Sequence, residues 1–156
     1  MSNRIYLSPP DMSGKEKKLL IEAFNSNWIA PLGPEVDQLE KEFSKYLNIE
    51  NCLALSSGTA GLHLALNQLH IKPNDIVLCP SLTFVATANV IRYVNATPVF
   101  IDVDKNSWTI DINCLEKAIK KYKPKALLTV DLYGNSANYN QIIDLCNKFN
   151  VKVIED

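Results

Sequence analysis

Short apolar runs alternate with amphipathic stretches through the last two thirds of the chain, and this alternation limits the fold more than any other feature. The runs are 52–55, 76–79, 98–101, 126–132 and 151–154, each bounded by turn residues or proline. Between them, 59–69, 84–94, 112–122 and 140–149 carry apolar residues at helical spacing, such as Leu115, Ala118 and Ile119, or Ile142, Ile143, Cys146 and Phe149. Five strands separated by helices predict an α/β fold with three layers, a mostly parallel sheet covered by helices on both faces. Residues 1–50 or so form an all-helical lead-in. Ser13 with Glu16 reads as a capping box for a helix bearing Leu19, Leu20, Ala23 and Phe24. Residues 25–33 read as a loop. Pro34 suits the first position of a second helix, which has Val36, Leu39, Phe43 and Tyr46 or Leu47 on one face.

Composition removes several function classes. The chain has 156 residues, a one-domain length, and 16 basic against 17 acidic residues leave a net charge of −1. No basic excess is present to hold a polyanion, which argues against nucleic-acid binding. No apolar run approaches the ~20 residues of a membrane span, and residues 1–10 lack a charged-then-apolar leader pattern. Cys52, Cys79, Cys114 and Cys146 sit in apolar stretches with neither zinc nor redox spacing, so they read as buried free thiols of a reducing compartment, the cytoplasm. His63 and His70 have no nearby cysteine or carboxylate cluster, so no metal is expected. The 16 asparagines are scattered and read as compositional background.

In open α/β sheets, ligands bind beyond the carboxyl ends of the strands. Four places qualify. Ser56-Ser57-Gly58-Thr59-Ala60-Gly61 follows a strand and opens a helix, where small residues admit a ligand and free amides suit a phosphate. The same residues also make an ordinary capped helix. The turn has neither the Walker nor the dinucleotide glycine spacing. Phe84 follows the 76–79 strand and reads either as a stacking partner for a planar ligand or as core. Asp156, beside Glu155, follows the last strand and reads as a partner for a cationic group or as a solvated acid. Asp131-Leu132-Tyr133-Gly134 is also at a strand end but reads more readily as a turn. A phosphate cradle, an aromatic and a carboxylate at one sheet edge are what pyridoxal phosphate requires for its phosphate, its ring and its pyridine nitrogen.

The stretches NWIAPLGPEVDQLEKEF, LSSGTAGLHLAL, CPSLTFVATANVI, PVFIDVDKNSWTID, LLTVDLYGNSANYNQI and VIED resemble the N-terminal part of the nucleotide-sugar aminotransferases of the DegT/DnrJ/EryC1/StrS family. The opening IYLSPPDMSGKE followed by SNWIAPLG is similar to the subgroup that aminates C4 of UDP-linked 4-keto-6-deoxy-N-acetylglucosamine for cell-surface glycan and polysaccharide pathways. The resemblance implies the large domain of the type I pyridoxal-phosphate fold, glutamate as amino donor and a homodimer. It assigns Gly58, Thr59 and Ala60 to the phosphate, with the Thr59 and Ala60 amides as donors. Phe84 covers the ring, and Asp156 pairs with the pyridine nitrogen. Trp28, Ile29 and Ala30 lie near the sugar nucleotide, and His63 matches a helix residue with a packing role.

Members of the family are more than twice this length, and their Schiff-base lysine falls in the segment that would follow Asp156. None of the 14 lysines present has the desolvated or cation-flanked setting of a nucleophile. Residues 1–156 are therefore expected to be a truncated, incomplete cofactor-binding domain, 1–50 as lead-in and 51–156 as the strand–helix region, without turnover of its own. Two alternatives stay open. One is a dehydratase of the same family, in which another residue replaces the lysine. The other is a non-catalytic domain that binds a nucleotide or phosphosugar through the 57–60 turn.

Overall fold

The computed structural model describes residues 4–156. They fall into two compact units, Met1–Ala54 and Leu55–Asp156.

The second unit holds the sheet. Its elements run α3 (Gly58–Gln68), β1 (Ile76–Pro80), α4 (Val85–Tyr93), β2 (Thr97–Ile101), α5 (Ile112–Tyr122), β3 (Ala126–Thr129), α6 (Tyr139–Lys148) and β4 (Lys152–Glu155), after α1 (Lys15–Asn25) and α2 (Pro34–Leu47) of the first unit. The strands lie in the order β2-β1-β3-β4, and every pair is parallel. Successive side chains of a strand point to opposite faces, and the register puts like with like. Leu78 pairs with Val99 and Leu127, and Leu127 with Val153; these join Ile101, Leu115, Ile119 and Ile142 in one core under α5 and α6. Val77 pairs with Ala126, and Leu128 with Ile154; these join Cys79, Leu62, Leu66, Val90 and Ile91 in a second core under α3 and α4. Helices on both faces of a parallel sheet make the three-layer α/β fold expected from the alternation. Burial pushes the Cys79 thiol up to about 12 and the Cys146 thiol up to about 11, so both are inert packing groups. Cys52 and Cys114 are free as well but only half-buried.

Two expectations change. The sheet has four strands, because 52–55 joins no ladder. Strand propensity becomes a strand only with a hydrogen-bonding partner, and here Leu53 is exposed while the Ala54 amide goes to Glu40 Oε1 at 2.8 Å. The head of α1 also differs from a capping box. Gly14, at φ 90°, is its N-cap and makes no side-chain bond, while the Glu16 carboxylate accepts from the amides of Ser13 and Gly14 at 3.2 and 2.8 Å. Hydrogen bonding to its own amide first, then to the Ser13 hydroxyl and to the Ser13 and Gly14 amides, holds the Glu16 carboxyl below the usual carboxylate pKa range.

In the first unit, Pro34 occupies the start of α2 as expected, yet neither α1 nor α2 buries a residue. Among the described residues, no helix is long and apolar enough to cross a membrane.

Candidate functional site

Both α3 and α4 run from the carboxyl edge of the sheet. α4 leaves the end of β1, and α3 ends where the chain turns into the start of β1. Their N-termini, with the positive ends of their dipoles, therefore meet the edge where the parallel strands finish.

Ser57 caps α3 with extended backbone, and its Oγ accepts the Ala60 amide at 3.2 Å. The Gly61 amide goes to the Ser57 carbonyl. Among the described residues, the Gly58 and Thr59 amides, one step earlier, take no partner. A Cβ placed on Gly58 would meet nothing within 4 Å, so the turn is open where a phosphate would approach. Of the two amides expected to serve a phosphate, Thr59 is open and Ala60 is shared with its own cap, while the open Gly58 amide is a further donor.

Phe84 is the N-cap of α4 and is 75% exposed, which excludes the core reading. Its carbonyl holds the Thr87 amide at 3.2 Å, so the ring stands at the helix mouth on a fixed backbone.

Asp156 is held from three sides. Its amide donates to the Thr129 carbonyl at 2.9 Å, and its carbonyl accepts the Asp131 amide at 3.1 Å, carrying the β3–β4 ladder past the ends of both strands. Glu155 and Asp156 point to opposite faces. Glu155 joins the α6 side, where its charge acts on Tyr139, and Asp156 joins the α4 side, where Oδ2 accepts the Thr87 hydroxyl at 2.5 Å. That carboxylate also lies by the first turn of α4, where the helix dipole favours an anion. Among the described residues, Oδ1 has no hydrogen-bond partner. Thr87 escapes a reading by pattern, because a threonine inside an apolar helix resembles filler and its partner is 69 residues away.

Asp131 serves structure. Its Oδ1 accepts the Ala137 amide and the Tyr139 hydroxyl, both at 2.9 Å, pinning the loop between β3 and α6. Burial, then this hydrogen bond, raises the Tyr139 phenol well above its ordinary value. His63 packs edge-on against Tyr93 at 5.7 Å, joining α3 to α4. Trp28, Ile29 and Ala30 belong to the first unit. There the Trp28 indole donates to the Leu32 carbonyl at 2.7 Å and fills the space beside Gly33, where a Cβ would fall 1.8 Å from Nε1. All 14 lysines are exposed. Among the described residues, no three His, Cys, Asp or Glu side chains gather as a metal site.

Open first-turn amides, an exposed ring and a carboxylate with one oxygen restrained and one open form a donor set that suits a flat, phosphorylated ring carrying a protonated nitrogen. EpsN of Bacillus subtilis (strain 168), named provisionally as a pyridoxal phosphate-dependent aminotransferase, is 48% identical over 161 residues, covering 100% of this chain and 42% of EpsN. GDP-perosamine synthase of Escherichia coli O157:H7 is 37% identical over 147 residues, covering 94% of this chain and 40% of the synthase. The chain thus spans about two fifths of the length of these relatives. Among solved structures, the aminotransferase from Psychrobacter cryohalolentis superposes with a TM-score of 0.89 at 30% identity over 96% of this chain and 38% of its own. GDP-4-keto-6-deoxy-D-mannose-3-dehydratase of E. coli, with bound hydrated PLP, gives 0.88 at 26% over 96% and 40%. Residues 10–156 match the DegT/DnrJ/EryC1/StrS aminotransferase family, and the chain belongs to it.

Proposed function

We propose that this chain is the cofactor-holding part of a pyridoxal phosphate-dependent sugar aminotransferase, one that moves an amino group from glutamate to C4 of a UDP-linked 4-keto sugar. The observation that carries the reading is the Asp156 carboxylate, fixed at the sheet edge on which the open α3 turn and the exposed Phe84 ring also lie. The cofactor, when bound, supplies an electron sink for the electrons released at the amino-bearing carbon. The amides of Gly58 and Thr59 bind its phosphate at the positive end of α3. Phe84 covers the ring and excludes water from one face. Asp156 keeps the ring nitrogen protonated, because an adjacent carboxylate favours the cationic form.

On this reading, residues 1–156 are the N-terminal part of a cofactor-binding large domain with 1–50 as its lead-in. Trp28, Ile29 and Ala30 contribute to sugar-nucleotide binding in an intact cytoplasmic homodimer serving surface polysaccharide synthesis. The family resemblance supports these finer assignments, and the exposure of every lysine supports a catalytic lysine located after Asp156.

The test supplies the protein containing this chain with the cofactor, glutamate and a UDP-4-keto-6-deoxy sugar, and looks for the amino sugar by mass spectrometry. The GDP-linked ketosugar runs in parallel, since relatives include GDP-perosamine synthases. Amination of the UDP sugar, with none by the 156-residue polypeptide alone, is the expected result. Amination of the GDP sugar only would overturn the nucleotide assignment, and loss of the C3 hydroxyl without amine transfer would replace the reading with a dehydratase. The likeness to the E. coli dehydratase supports that second reading, and the identity of the residue at the lysine position separates the two.

A further inference from the structure

We propose that Thr83 and Thr87 form a directed hydroxyl relay that positions the Asp156 carboxylate for the cofactor ring, with Thr87 as the positioning residue. The inference rests on the cofactor reading above and adds to it Thr87, which touches the carboxylate rather than the ring, and Thr83, which touches Thr87.

The polarity of the relay follows from donor count. A hydroxyl has one hydrogen and two lone pairs. Thr87 Oγ1 lies 2.5 Å from Asp156 Oδ2 and 2.8 Å from Thr83 Oγ1. An ionised carboxylate only accepts, so the Thr87 hydrogen goes to Asp156. Thr87 then accepts from Thr83, and the order is Thr83 to Thr87 to Asp156. Each link polarises the next, and a bond to a charged acceptor is about twice as strong as a neutral one.

The setting makes the restraint firm. Thr87 is fully buried, in the first turn of α4 and packed on the sheet. Its β-branched side chain has little rotamer freedom in a helix, and its amide is tied to the Phe84 carbonyl. The backbone of Asp156 is fixed by Thr129 and Asp131, which leaves the carboxylate torsions as the freedom still to be removed. Thr87 removes it and occupies Oδ2 alone, so Oδ1 stays open to a ring N–H. The segment Thr83-Phe84-Val85-Ala86-Thr87 thereby has two tasks, presenting the ring-covering side chain from its cap and aiming the carboxylate from its next turn.

Pyridoxamine phosphate binds without forming a bond to a lysine, so its fluorescence titration of the protein containing this chain reads the relay directly. Thr87→Val should weaken binding about tenfold, the scale of one lost hydrogen bond to a charged group. Thr87→Ser, which keeps the hydroxyl, should stay within about threefold of the parent, and Thr83→Val should lose less than Thr87→Val. In an Asp156→Asn background the Thr87→Val effect should shrink below about twofold, because the residue acts through the carboxylate. Unchanged affinity in Thr87→Val, or an undiminished loss in the Asp156→Asn background, would overturn the relay while the cofactor reading stands. Should Thr87→Val not fold, parent-like affinity in Thr83→Val together with a loss in Thr87→Ser would overturn it equally. Absence of pyridoxamine phosphate binding by the parent protein would overturn the cofactor reading itself, and the relay with it.

Discussion

At the scale of single residues, asparagine carries a role that composition conceals. Nine non-glycine residues among those described have positive φ, and five of them are Asn27, Asn48, Asn74, Asn95 and Asn150. The left-handed region costs an ordinary L-residue about 1–2 kcal/mol, and asparagine offsets part of that through local hydrogen bonds. With only five glycines in the chain, asparagine ends helices and turns corners in their place. Scattered asparagines were therefore no background, although a count of them does not say which have that geometry. Asn95, exposed after α4 at φ 58°, is the cleanest test. Asn95→Ala should lower unfolding stability by about 1 kcal/mol, and Asn95→Gly should hold it within about 0.5 kcal/mol, both read from urea midpoints. Thr87 marks the opposite limit of legibility. Phe84 and Asp156 were visible because they stand at strand ends, whereas a threonine whose partner is distant in sequence leaves no periodic trace.

Elements were legible where local chemistry decides them. Ser57, Asp111 and Asn138 each cap a helix through a side-chain oxygen, and Pro34 opens another. The limits of α5, Ile112–Tyr122, follow directly from its apolar spacing and its cap. Asp111 Oδ1 accepts the Cys114 amide at 2.8 Å, so Asp111→Ala should cost about 1 kcal/mol in thermal or urea unfolding, with Asp111→Asn near the parent. Elements were illegible where a distant partner decides them. Residues 52–55 have the composition of a strand, but no edge of the four-stranded sheet is paired with them. The 126–132 run stops as a strand at Thr129 because Asp131 turns its side chain to the loop and binds Ala137 and Tyr139.

For the whole molecule, burial is unevenly distributed. The sheet unit carries two cores, while α1 and α2 leave Leu19, Leu20, Phe24, Leu39 and Phe43 exposed. Cooperative protection from hydrogen exchange needs buried contacts. Amides of β1 and β3 should therefore exchange only on global unfolding, and those of α1 and α2 should show about tenfold protection or less by mass spectrometry; equal protection in both units would contradict this division. The layered architecture was legible because alternation of period is a property of the chain alone. The chemistry was legible only in part, since an open amide or a restrained carboxylate exists once separate segments meet. The adjacency of Glu155 and Asp156 adds a constraint of another kind. Two neighbouring acids serve opposite sides of one sheet, so β4 keeps them apart by counting. Loss or gain of a single residue within it would send the glutamate toward Thr87 and the aspartate toward Tyr139. Evolution is freer here to change the letters of the strand than their number.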